Sequence, residues 1–174
     1  TGQWAYRLTS DNLTTLGQGT GKAILAQQTD ASGNTSVTQA YQFSLDSVLP
    51  QITSIVMEST RLRAGDSTTV RFSFSEVPFN FDVADVAVPN GQLTGLAPTD
   101  DPKVYTAIFT PNAGVDDASN TLVVGRNWTD EAGNAPASMN YALDNYTIDT
   151  LLPVVAITQI GQGDDSQVTG KTGD

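Results

Sequence analysis

The sequence contains neither cysteine nor histidine. Without thiolate and imidazole there is no disulfide framework, no ordinary zinc site and no Ser-His or Cys-His nucleophile. What remains for a ligand sphere is carboxylate, amide and carbonyl oxygen, the donor set of hard cations such as calcium. Positive charge is scarce as well. Eight Lys and Arg stand against nineteen Asp and Glu, a formal net charge of −11, which disfavours nucleic acid and anionic membrane surfaces as partners. No apolar run approaches the roughly 20 residues of a membrane span, and no signal-peptide pattern opens the chain, so membrane insertion is not expected. A cysteine-free acidic chain fits a cytosolic protein on this evidence alone, and it also suits a bacterial surface chain that is exported unfolded and has to avoid stray disulfides.

What the sequence does contain is a repeat. The stretch TDASGNTSVTQAYQFSLDSVLP, residues 29–50, returns as TDEAGNAPASMNYALDNYTIDTLLP, residues 129–153. Each copy has an Asp-x-x-Gly-Asn turn (Asp30 and Asn34, Asp130 and Asn134), a strand-like run, and an Asp-x-x-x-Pro segment beginning at Asp46 or Asp149. The turns lie 130 − 30 = 100 residues apart, a length suited to one repeated domain. With 174 residues, 39% of them hydrophobic, the chain is long enough for one or two such domains.

Between the turn signals the apolar residues alternate. Trp4, Tyr6 and Leu8 alternate with polar neighbours, and residues 22–29 and 37–45 read as two further strands, with Val37, Tyr41, Phe43 and Leu45 facing inward. Residues 10–21, rich in glycine, read as loop or a short turn of helix. From residue 52 onward, strands are expected at 52–57, 69–75, around Val86 and Val88, at 104–110, 121–128 and 141–148, with a turn at 63–66. Pro78 forbids continuation of a central strand after Glu76. About seven short strands with no amphipathic helix predict an all-β fold of tandem immunoglobulin-like β-sandwich domains, one complete and two partial. The boundaries are the C-terminal part of one domain at 1–46, a complete domain at 47–149 and the N-terminal part of another at 150–174, opened by a strand at 154–160 and a turn at Asp164-Asp165.

The succession of Asp-Thr-Leu-Leu-Pro, Thr-Val-Arg-Phe-Ser-Phe-Ser-Glu, Val-Tyr-Thr-Ala-Ile-Phe-Thr-Pro and Thr-Asp-Glu-Ala-Gly-Asn resembles the bacterial Ig-like repeats of giant calcium-binding surface adhesins, the RTX proteins secreted by type I systems. That resemblance implies an extracellular extender stiffened by calcium, which carries adhesive modules away from the cell in adhesion and biofilm formation. Its partners would be neighbouring Ig-like repeats of the same protein, with head-to-tail self-association a further expectation. Ser47 and Val48, and likewise Leu151 and Leu152, depart from the usual polar linker residues without removing Asp46 or Asp149.

In a sandwich of this kind the loop after the second strand and the loop before the last lie at the pole where the chain enters. Glu76, Asp130 and Asn134 are therefore expected to meet Asp46 and to supply calcium with the oxygens it takes. Asp30 and Asn34 would form half of an equivalent site, and Asp149 half of the next. Weighed against this, an Asp-x-x-Gly-Asn turn is most often a plain turn, its Asp bonding nearby backbone. The pairs Asp100-Asp101, Asp116-Asp117 and Asp164-Asp165 read as solvated loops. A carbohydrate- or protein-ligand-binding module is the alternative function; Trp4 and Trp128 could stack on a sugar, but a Trp in an alternating strand is more often core, and Trp128 is expected there. A glycosidase would need two facing carboxylates, and no spacing singles out such a pair, so no enzyme is expected.

Overall fold

The structure, a computed structural model, describes residues 5–137, 141–160 and 168–173. It divides into two units, Thr1–Leu49 and Pro50–Asp174.

In the first unit Thr9 caps a short helix, α1 (Ser10–Leu16), its hydroxyl accepting from the Asn12 amide while the Asn12 side chain accepts from the Thr9 amide. Gly17, at φ 65°, ends the helix. Two antiparallel strands follow, β1 (Gly19–Ala26) and β2 (Gln39–Leu45), with Ile24 opposite Tyr41 and Lys22 opposite Phe43. Lys22 Nζ donates to the Leu16 carbonyl at 2.6 Å and ties β1 to α1. Residues 5–9 form no strand, contrary to the alternation there, and Trp4 lies outside the described residues. The inward assignment of Val37 and Tyr41 also fails, since they are 77% and 71% exposed. A strand pattern specifies a buried face only when a second layer is present to bury it.

The second unit carries the core. Four antiparallel strands lie in the order β3 (Ile52–Met57), β5 (Thr68–Phe74), β8 (Val104–Pro111) and β7 (Gly91–Pro98). A second group has β12 (Tyr146–Asp149) between β4 (Arg61–Arg63), to which it is parallel, and β9 (Asp116–Asn120). A third joins β6 (Val86–Ala87), β10 (Val123–Val124) and β11 (Tyr141–Ala142). Ile52, Val70, Phe72, Phe74 and Phe109 from the four-stranded sheet meet Leu62, Val86, Val124, Tyr146 and Ile148 from the other strands in one buried cluster. Two layers of mostly antiparallel strands around one core are consistent with an Ig-like β-sandwich. After it come β13 (Val154–Ile160) and β14 (Val168–Gly173), which pair with each other; the expected turn at Asp164-Asp165 falls outside the described residues.

The strands expected at 52–57, 69–75, 104–110 and 154–160 are present within a residue at each end. That expected at 121–128 shortens to the two residues of β10, and β7 and β9 arise where no strand was expected.

Candidate metal centre

β5 delivers Glu76 to one end of the sandwich. Just ahead of it, the Ser75 amide donates to the Gln51 carbonyl at 2.8 Å and the Gln51 amide donates to Ser75 Oγ at 3.0 Å. The chain entering at Pro50 is thereby held beside Glu76. Pro78 then interrupts the strand, having no amide to donate, and Phe79 takes up a short antiparallel bridge with Thr129. Phe79 N–H donates to Thr129 O at 2.6 Å, and Thr129 N–H returns to Phe79 O at 3.1 Å. This bridge brings the Glu76 loop alongside Asp130.

The floor is aromatic. Phe74 meets both Phe81 and Trp128 edge-on with ring centroids 5.0 Å apart, and Tyr105 closes on Phe81 at 5.6 Å. Each such pair contributes about 0.5–1.5 kcal/mol beyond its buried area, so the loops rest on a rigid base. Trp128 is 1% exposed and its Nε1–H donates to Gly125 O at 3.2 Å. It is a core residue and offers no platform for a sugar.

Asp130 is 2% exposed. Its two carboxylate oxygens accept from Asn134, Oδ1 from the backbone amide and Oδ2 from the side-chain Nδ2, both at 2.8 Å. The Asp130 amide donates to Asn134 O at 3.0 Å, and Gly133 makes the turn at φ 89°, a conformation that favours glycine. The same bonds recur one repeat earlier, where Asp30 accepts from the Asn34 amide and from its Nδ2, again at 2.8 Å. The Asn34 side chain, followed by the backbone amides of the turn, holds the Asp30 carboxyl below the usual carboxylate range. The two turns differ in cover, since Asp30 is exposed where Asp130 is buried.

Asp46 and Asp149 also behave alike. Each carboxylate accepts through Oδ1 from the amide two residues on, that of Val48 at 3.0 Å and that of Leu151 at 3.2 Å. Both residues are exposed, each ahead of its proline.

The model of the bacterial Ig-like domain matches residues 46–148, more than half of the chain. The chain belongs to the bacterial Ig-like domain family. Domains of this family are typical of surface proteins and are usually non-catalytic. No curated protein and no solved structure matches the chain. The Ig-like match opens at Asp46, so its span contains Asp46, Glu76 and Asp130, three carboxylates that form a group able to hold a metal ion. Asp30 and Asp149 belong to no such group among the described residues. The donors of the group are oxygens alone, which fits a hard cation. Among the described residues no helix is long and apolar enough to cross a membrane.

Proposed function

We propose that this Ig-like chain is a spacer segment of a bacterial surface adhesin or filament of the RTX type. Calcium held by Asp46, Glu76, Asp130 and Asn134 stiffens the entry to the domain. The observation that carries the reading is the burial of the Asp130 carboxylate at the end of the sandwich where Glu76 also stands. Asn134 gives the buried Asp130 carboxylate two hydrogen bonds but no opposite charge, and among the described residues no Lys or Arg pairs with it; a second carboxylate close by adds repulsion that a cation would relieve. The tie between Gln51 and Ser75 supports the part given to Asp46. Three residues separate it from Pro50, so the tether of four peptide steps is at most roughly 14 Å. Calcium takes six to eight oxygens at about 2.3–2.6 Å, and carboxylate, amide and backbone oxygens are what these loops offer.

The same reading gives Asp30 and Asn34, in their matching turn, half of an equivalent site ahead of residue 30. Asp149 would serve a domain that begins after Pro153. The family's association with surface proteins supports an extracellular location on the bacterial cell; type I secretion, adhesion and biofilm formation rest on the resemblance of the sequence to adhesin repeats alone.

Melting of the full chain in calcium and in chelator tests the proposal. A cation that binds only the native state stabilises it by about 2.7 kcal/mol at one hundred times its Kd. The expected result is a higher Tm with calcium, abolished in Glu76→Gln. Because Asp130 also holds its own turn together, Asp130→Asn should lower Tm even in chelator. A calcium titration that leaves the wild-type melting curve in place would overturn the site.

A further inference from the structure

Of the asparagines in the sequence, Asn90 alone is followed by glycine. Such a pair carries latent chemistry, because the amide nitrogen of the next residue can attack the asparagine side-chain carbonyl carbon, and a glycine without Cβ hinders that attack least. Here the fold demands both residues. Asn90 ends the turn ahead of β7 at φ 55°, a left-handed conformation that asparagine tolerates better than most side chains. Its Nδ2 donates to Asp117 Oδ2 at 2.9 Å and to Asn120 Oδ1 at 2.8 Å. Asn120 fixes the sense of that bond, since its own Nδ2 donates to the carbonyls of Asp117 at 2.9 Å and Tyr146 at 3.3 Å. Asn90 O accepts from the Asn112 amide at 2.9 Å. Gly91 has to be glycine, because the Phe109 ring fills the place of a Cβ.

We propose that Asn90–Gly91 is a deamidation site that the closed sandwich keeps inert and that opening of the sandwich releases. In the attack a bond forms between the Gly91 nitrogen and Asn90 Cγ, the Cγ–Nδ2 bond breaks, and ammonia leaves with the Gly91 amide proton. Water then opens the cyclic imide at either carbonyl, giving an aspartate or an isoaspartate at position 90. In the folded chain Cγ reaches the Gly91 nitrogen only after Nδ2 has left both of its acceptors. Asp117 is itself held in place, its Oδ1 accepting from the Ser119 amide at 2.9 Å. The product does not fit back. A carboxylate at position 90 faces Asp117 Oδ2 and Asn120 Oδ1 with no hydrogen to give, so like charges meet and two acceptors lose their donor. An isoaspartate adds a backbone carbon where β7 begins to pair with β8, Gly91 opposite Pro111. The dipeptide thus turns a passing opening of the domain into a covalent and lasting loss of stability.

The test is to hold the full chain in mildly alkaline buffer, with and without urea above its unfolding midpoint. Residue 90 is followed by proteolysis and mass spectrometry that resolves aspartate from isoaspartate. In urea, Asn90 should convert faster than Asn112 or Asn127, which precede alanine and tryptophan. In the folded chain its conversion should be at least about tenfold slower than in urea, because the reactive geometry is reached only through opening. A synthetic peptide of residues 86–94, which has no sandwich to close, should convert at the unfolded rate in both buffers. After the urea is removed, the converted fraction should refold with a lower urea midpoint. Asn90→Asp should show a lowered midpoint too, and adding Asp117→Asn, which brings a donor back to the contact, should recover part of it. Equal rates for the full chain with and without urea, or an Asn90 no faster than Asn112 in urea, would overturn the proposal. So would a converted chain with the wild-type midpoint, or a double variant no more stable than Asn90→Asp alone.

Discussion

Tyr146 shows how a single side chain ties the parts of the sandwich together. Its ring packs edge-on against Phe109 at 5.3 Å, and its hydroxyl donates to Pro89 O at 3.3 Å. Burial, followed by the nearby charge of Asp117, pushes its pKa up from 10.0 to about 12. The fold favours the neutral phenol, so stability is unaffected below about pH 10 and falls as pH rises from there toward 12. The loss amounts to roughly 2–3 kcal/mol. Tyr146→Phe should cost about 1 kcal/mol at neutral pH for the missing hydrogen bond and should lack this alkaline step. Denaturant midpoints of the two proteins will therefore converge above pH 10 and cross before pH 12, and parallel curves would show that the phenol is not responsible. Beside it, Asn120 is 1% exposed; its side chain accepts from Asn90 Nδ2 at 2.8 Å and donates to Asp117 O at 2.9 Å. Asn120→Ala should cost about 2–3 kcal/mol by leaving partners unsatisfied, read as a lower urea midpoint with an unchanged slope. None of this network was legible in the sequence, where Asp117 reads as a solvated loop acid. Its members stand far apart in the chain and follow no period.

Strand legibility followed the alternation of apolar residues. In β5, Val70, Phe72 and Phe74 are buried while Arg71 between them is exposed, so a period of two locates the strand without further help. β9 is the opposite case. Asp116–Asn120 contains no large apolar residue, and it is a strand because β12 pairs with it, Tyr146 opposite Asn120 and Ile148 opposite Asp117. β7 offers Leu93 as its one buried residue, which is too little pattern to read. Its first residue is nonetheless specified closely. A Cβ on Gly91 would run into the Phe109 ring and lie 2.8 Å from Thr110 O, where β7 meets the end of β8. Gly91→Ala should therefore destabilise by about 1–3 kcal/mol through overpacking. Gly125→Ala, whose Cβ would meet only the Asp85 carbonyl at 3.3 Å, is the milder comparison. Equal unfolding midpoints for the two variants would show that the Phe109 contact yields.

At the scale of the whole chain, legibility depended on how far apart the interacting residues stand. The turns at 30–34 and 130–134 close within five residues, so both their existence and their likeness could be read directly. The meeting of Glu76 with Asp130 depends on a fold rule about which loops share a pole, and the Phe79–Thr129 bridge supplies the geometry. If calcium joins Asp46 to these two, the segment leading into the sandwich loses its freedom to bend. Small-angle X-ray scattering of the full chain, at concentrations too low for association, should give the profile of a rod with calcium and of a flexible chain with chelator. Glu76→Gln should scatter as the flexible chain in both. With a net charge of −11, any salt will also compact the chain by screening, and raising ionic strength from 0.15 M to 1 M shortens the Debye length from about 8 Å to about 3 Å. The two effects separate by dose. Screening grows smoothly with sodium chloride and acts equally on Glu76→Gln, whereas a site saturates with calcium and is lost in that variant. A wild type as flexible with calcium as without it would remove the stiffening role, even if the melting experiment shows an ion bound.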